Sequence, residues 1–197
     1  MEGTKPVNKK LAAALSGGAV LVLALSGCSD DGNEKLDSWA KEVCDAVPAQ
    51  GAKIKAANDA ITKTALGSNE PKTVQKTDSQ AFQDLSDGYK ALATAFDKAG
   101  APPDVDDGAQ NVQDVVKRLN DLSTSYAGLK KQTDTLDTKD QAKFADGLND
   151  ISTEMKKLEK QTQNVLVAEQ KLQTGDVKKS IAKQESCKTG TAAATKS

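Results

Sequence analysis

Histidine is missing from this chain of 197 residues, and its absence excludes more chemistry than any other feature. Histidine is the commonest general base in enzymes and the commonest side-chain ligand of metal ions. There are only three cysteines, fewer than the four ligands of a typical structural zinc site. We therefore expect no metal, no cofactor and no catalytic residue, and we predict that the protein is not an enzyme.

Aromatic residues are scarce, and neither sign of charge dominates. Most of the six aromatic side chains occupy apolar positions of predicted helices, so few remain to stack on bases or sugars. The chain has 27 basic and 28 acidic residues. Loss of residues 1–27 would remove three lysines and one glutamate and leave a net charge of −3. A nucleic acid partner requires a basic face, so we predict no nucleic acid binding.

Only one long apolar run occurs, from Leu11 to Leu25. It spans about 15 residues, whereas a membrane-spanning helix needs about 20. Two lysines precede the run, and the small residues Ser26 and Gly27 follow it, directly before Cys28. A basic start, a short apolar run and small residues are typical of a secretory signal peptide. We predict that residues 1–27 are removed by cleavage between Gly27 and Cys28.

The segment Leu25-Ser26-Gly27-Cys28 resembles the lipobox of bacterial lipoproteins. The resemblance implies a diacylglycerol thioether on Cys28, palmitate among its acyl chains, and attachment to the outer face of the cell membrane. The alternative is an ordinary signal peptide followed by a cysteine that carries no lipid. Residues 28–35 are polar beyond the cysteine and contain Gly32, so they are predicted to form a flexible tether.

If Cys28 carries lipid, Cys44 and Cys187 remain. Disulfides persist in secreted proteins because the surroundings are oxidising. We predict a disulfide between these two cysteines, with two free thiols as the alternative.

From Leu36 onward, apolar residues recur at alternating steps of three and four, which is typical of amphipathic helices. The clearest stripes run from Phe82 to Phe96, from Val112 to Leu136 and from Phe144 to Val165. The first helix contains Pro48, which lacks an N–H, so we expect a kink or break there.

No segment shows the period of two that is typical of strands. We therefore predict an all-α fold: an antiparallel four-helix bundle with a short C-terminal helix, over residues 36–187. Residues 188–197 are predicted to be a disordered tail. In such a bundle the first and last helices are neighbours, which favours pairing of Cys44 with Cys187.

Two helical segments resemble each other. Residues 119–133 and 148–162 share nine of fifteen positions, in the same heptad register. One interpretation is a duplicated helix that presents two like surfaces, with Asp121 and Asp150 facing outward. The other is chance repetition within a composition rich in lysine, threonine and aspartate.

Gly88 and Gly147 flank the apolar stripes of their helices, where each costs about 1 kcal/mol relative to alanine. They could leave a gap between helices for a small apolar ligand, or they could allow neighbouring helices to pack closely. The ligand hypothesis predicts an apolar gap near Gly88, Tyr89, Gly147 and Met155.

Four short segments together resemble the small secreted lipoproteins of actinomycetes. They are the lipobox with Cys28, the segment Trp39–Cys44, the turn Gly100–Val105 and the lone Cys187. The resemblance implies an envelope location and a helical fold, and no settled function. Our leading hypothesis is a non-enzymatic module that binds a protein partner. The alternative is a carrier or sensor of a small apolar ligand.

Overall fold

The computed structural model of the chain describes residues 31–67 and 70–188. The predicted signal peptide, Gly27 and Cys28 lie outside these residues, as do residues 189–197 of the predicted tail, whose first residue, Lys188, is helical. The predictions for those segments stay predictions.

Five helices follow one another along the described chain. They are α1 (Asp31–Leu66), α2 (Pro71–Ala99), α3 (Gly108–Asp134), α4 (Gln141–Leu172) and α5 (Gly175–Lys183). A single helical turn at residues 185–188 follows α5, and no described residue lies in a strand. The predicted all-α bundle with a short C-terminal helix is confirmed.

The apolar stripe of each long helix faces the core of the bundle. The stripe of α3 is buried at all seven positions that lie within the helix: Val112, Val115, Leu119, Leu122, Tyr126, Leu129 and Thr133. On α4 five buried positions recur every seven residues, from Phe144 to Leu172, and Ala168 is buried as well. Met155, on the predicted stripe between two of them, is only partly buried. The sequence period therefore identified the inner face of both helices.

Two serines fix how α2 lies against α3. Ser86 Oγ donates to the carbonyl oxygen of Ser123 at 2.9 Å, and Ser123 Oγ donates to that of Ser86 at 2.8 Å. Both side chains are buried, and both hydroxyls are satisfied by this exchange. Sliding either helix by one turn would break both hydrogen bonds and leave the serine hydroxyls unpaired in the core.

The course of α1 differs from the prediction in two ways. It begins at Asp31 rather than Leu36, so residues 31–35 of the predicted tether are helical. It also continues through Pro48, so the helix does not break there, and the kink that we gave as the alternative stays a prediction. Proline removes one backbone hydrogen bond, and burial of apolar residues on both sides, such as Val43 and Ala57, keeps the helix continuous.

Trp39 joins α1 to the turn between α2 and α3. Its indole Nε1 donates to the carbonyl oxygen of Gly100 at 2.8 Å, and the side chain is buried. Gly100 ends α2 with a φ of 66° and a ψ of −157°, a conformation that glycine adopts without steric strain. The single tryptophan of the chain thus holds this turn against α1.

The C-terminal part of the bundle is fastened to α1. Cys44 and Cys187 form the predicted disulfide, with Cα atoms 5.0 Å apart. Lys183 donates to Asp37 at 2.7 Å and lowers the pKa of that carboxyl, and Ser186 donates to Asp45 at 2.8 Å. Gln184 Nε2 also donates to the backbone oxygen of Asp37 at 3.3 Å. The disulfide and several polar contacts therefore join α5 and the residues after it to α1.

Candidate functional site

None of the helices in the described part of the chain is long and apolar enough to span a membrane. Within residues 31–67 and 70–188, no group of three or more potential ligand side chains is arranged to hold a metal ion.

The four residues of the predicted ligand gap are divided between two helices. Gly88 and Tyr89 lie on α2, whereas Gly147 and Met155 lie on α4. A Cβ atom on Gly88 would lie 2.8 Å from Cγ1 of Ile54, so the space beside this glycine is filled by α1. This is the close packing that we gave as the alternative to a gap.

Gly147 is also closely packed on one side. A Cβ atom there would collide with a methyl group of Leu136, which lies in the α3–α4 turn. Gly147 and Leu136 line an open, mixed polar and apolar groove of about 420 Å³ between α3 and α4. The groove is exposed at the surface and does not resemble an enclosed apolar pocket for a small ligand.

Tyr89 contributes to an aromatic stack. The centroid of its ring lies 5.6 Å from that of Tyr126 on α3, with the ring planes 6° apart. The ring of Phe82, which like Tyr89 belongs to α2, lies 6.4 Å from the ring of Tyr126. Burial raises the pKa of both tyrosine hydroxyls, and for Tyr89 the charges of Tyr126 and Glu169 add to the shift. The rings therefore fill the interface between α2 and α3 as neutral side chains.

Glu169 on α4 is the acidic side chain close to this stack. Burial raises its pKa from 4.5 to about 7. An electrically neutral carboxyl is favoured there because the apolar surroundings disfavour the charged form. At neutral pH the side chain is only partly ionised.

Glu169→Gln is expected to change how stability depends on pH. In the natural protein, the raised pKa stabilises the folded state fully below pH 4.5. This stabilisation is lost as the pH rises from 4.5 through about 7. The loss amounts to roughly 3 kcal/mol, and a glutamine at this position would not titrate. At pH 8 the variant should therefore be more stable than the natural protein. Urea unfolding at pH 4.5, 6 and 8 measures the difference.

The matched control is Glu159→Gln, an exposed glutamate on the same helix. Its unfolding curves should follow those of the natural protein at all three pH values. Parallel pH profiles for the Glu169 variant and the natural protein would show that Glu169 is not desolvated.

An open groove of about 750 Å³ lies between α1 and α2. We call it the α1–α2 groove. All the residues that line it belong to these two helices: Ala56, Ala57, Ala60, Lys72, Thr73, Lys76, Thr77, Gln80, Ala81 and Asp84. Four of the ten are alanines, three of them on α1, so the backbone of α1 lies close to the surface of the groove.

The charges at the two ends of the α1–α2 groove differ. Lys72 and Lys76 are exposed on successive turns of α2, and neither makes an ion pair or a side-chain hydrogen bond within the described chain. At the other end, Asp84 lies 3.5 Å from Lys53, which also reaches Asp87 at 3.7 Å. The groove therefore carries two uncompensated positive charges at one end.

Sequence reasoning did not identify this groove. It attached no role to Lys72 or Lys76. The available signal was the spacing of Ala56 and Ala60, four residues apart and hence on one face of a helix. Small residues at that spacing allow another chain to approach closely, but only the structure shows that α2 leaves this face open.

The two similar segments lie in α3 and α4. Asp121 and Asp150 are both exposed, as expected. Lys117 donates to Asp121 at 2.5 Å, and Asp150 lines the α3–α4 groove beside Gly147. The two aspartates thus occupy different surroundings, and the structure gives no reason to treat them as two like surfaces.

Comparison with known proteins finds no matching family model, no similar curated protein and no similar solved structure.

Proposed function

We propose that this protein is a lipid-anchored helical bundle that works outside the cytoplasm by binding a protein partner, without catalysis. The observation that carries the proposal is the α1–α2 groove, an open surface of about 750 Å³ with an alanine-rich lining and two uncompensated lysines. Concave surfaces between helices are common docking sites for segments of other proteins.

The location rests on the sequence. The lipobox-like segment before Cys28 predicts a lipid anchor, and the disulfide between Cys44 and Cys187 agrees with an oxidising compartment. The carrier hypothesis is the weaker alternative, because Ile54 and Leu136 occupy the space beside Gly88 and Gly147.

Cys28→Ala is expected to release the protein from the membrane. The thiol that would receive the diacylglycerol is then missing, and the protein should lose all metabolic labelling by radioactive palmitate. Full-length natural and variant chains are compared in cells by labelling and by membrane fractionation. Ser29→Ala is the matched control, since it changes the next residue and keeps the thiol. Labelling that survives the cysteine exchange would contradict the anchor.

The partner is tested separately from the anchor. A membrane-impermeant reagent that links amines is added to intact cells that make the natural protein, whose many lysines react on every face. We expect a discrete adduct between this chain and a second protein, found by mass spectrometry of the purified product. If only the uncrosslinked chain is recovered over a range of reagent concentrations, partner binding is wrong.

A further inference from the structure

We infer that the α1–α2 groove receives an acidic, amphipathic helix of the protein partner. This inference rests on the proposed function, since it names the partner segment for the same groove.

The shape of the groove fits a helix. Its lining on α2 extends from Lys72 to Asp84, twelve residues apart and therefore ~18 Å along the helix axis. That length matches about three turns of a docked helix. Ala56 and Ala60 lie four residues apart on α1 and leave room for a helix to approach closely. The apolar stripe of an amphipathic helix would cover the alanines and exclude water from them.

The positive charge at one end of the groove favours a docked helix that carries negative charge. Lys72 and Lys76 are four residues apart, so their ammonium groups lie on one side of α2, and neither has an acidic partner in the structure described. Asp84 at the opposite end shares Lys53 with Asp87, so that end keeps a negative charge and would not attract acidic residues. A docked helix with Asp or Glu at positions i and i+4 would pair with both lysines, whereas a basic helix would be repelled.

The polar side chains of the groove add hydrogen-bonding capacity without changing this charge. Thr73 and Thr77 lie one turn apart beside the lysines. Gln80 Nε2 donates to Asp84 at 3.2 Å, so the amide stays near the Asp84 end of the groove. The lysine end is therefore where the docked helix should place its acidic residues.

Site-specific photocrosslinking of the full-length protein in its own cells tests the inference. A photoreactive amino acid replaces Thr77, which lines the groove, and in a control it replaces Ala145, an exposed residue of α4. Mass spectrometry of the adduct then identifies the partner segment attached at residue 77. We expect an adduct at residue 77 and none with the same segment at residue 145. The attached segment should be an amphipathic helix with two acidic residues four positions apart.

Charge reversal supplies the second measurement. Lys72→Glu with Lys76→Glu should lower the yield of the residue-77 adduct about tenfold, because two attractions become repulsions. Lys72→Arg with Lys76→Arg should keep it. The matched control is Lys156→Glu with Lys160→Glu, two exposed lysines of α4 that have the same spacing and no ion pair in the described chain. All four lysines are exposed, and circular dichroism verifies that each variant stays folded.

Several results would overturn the inference. They are an attached segment from a second copy of this chain, a neutral or basic segment, a lipid, or a yield that charge reversal leaves unchanged. If residue 77 gives no adduct while the amine-reactive reagent still captures a partner, the groove is wrong and partner binding stands. If neither experiment yields a second protein, both proposals fail.

Discussion

Replacing Cys44 and Cys187 together with alanine is expected to lower the free energy of unfolding by about 4 kcal/mol. The disulfide closes a loop of 143 residues, and in the chain-entropy model such a loop restricts the unfolded chain by about 4–5 kcal/mol. Alanine is chosen because Cys44 is completely buried and a serine hydroxyl there would need a partner. For a domain of this size the loss corresponds to a fall in melting temperature of about 10 °C.

The measurement compares thermal unfolding of the natural protein and the double variant, each with and without a reducing agent. Reduction should destabilise the natural protein to about the level of the variant and leave the variant unchanged, which separates the disulfide from general effects of the reagent. Equal melting temperatures for the oxidised natural protein and the variant would mean that the bond contributes nothing to stability.

Leu122→Ala is expected to destabilise the bundle by about 3–5 kcal/mol. Leu122 lies on the inner stripe of α3 and is completely buried among the core residues. Truncation removes the burial of most of the side chain and leaves a cavity, because the surrounding helices relax only in part. The double alanine variant of the cysteines and this variant therefore affect stability by similar amounts through different causes. Urea unfolding monitored by circular dichroism measures the change.

Leu66→Ala is the matched control for the core variant. Leu66 is the last residue of α1 and is 84% exposed, so the same exchange should change stability by no more than about 0.5 kcal/mol. Comparable losses for the two variants would mean that Leu122 is not part of a packed core.

Much of the fold could be predicted because the spacing of apolar residues along the sequence shows which side chains of a helix are buried. The alternating steps of three and four along α3 correspond to residues that are all buried, from Val112 to Thr133. The course of α1 was less predictable. The local effect of Pro48 favoured a break, but the helix continues because its apolar face is held in the core on both sides. Local sequence rules do not contain this tertiary contribution.

The candidate site was less predictable than the fold. Gly88 has the same sequence signature whether the neighbouring helix leaves a gap or fills it, and Ile54, which fills it, is 34 residues away in the chain. The α1–α2 groove likewise joins alanines of one helix to lysines of another. Which helix faces are left uncovered depends on how all the helices pack, and no single segment encodes that.

The connection between α1 and the C-terminal turn also determines how the molecule would bear mechanical load. A force applied between the start of α1 and the chain beyond residue 188 passes through the backbone to Cys44, across the disulfide and out through Cys187. The backbone between the two cysteines lies outside this path, so α2, α3 and α4 would not be stretched while the bond is intact. Reduction would transfer the tension to the helices and allow them to be pulled apart in sequence.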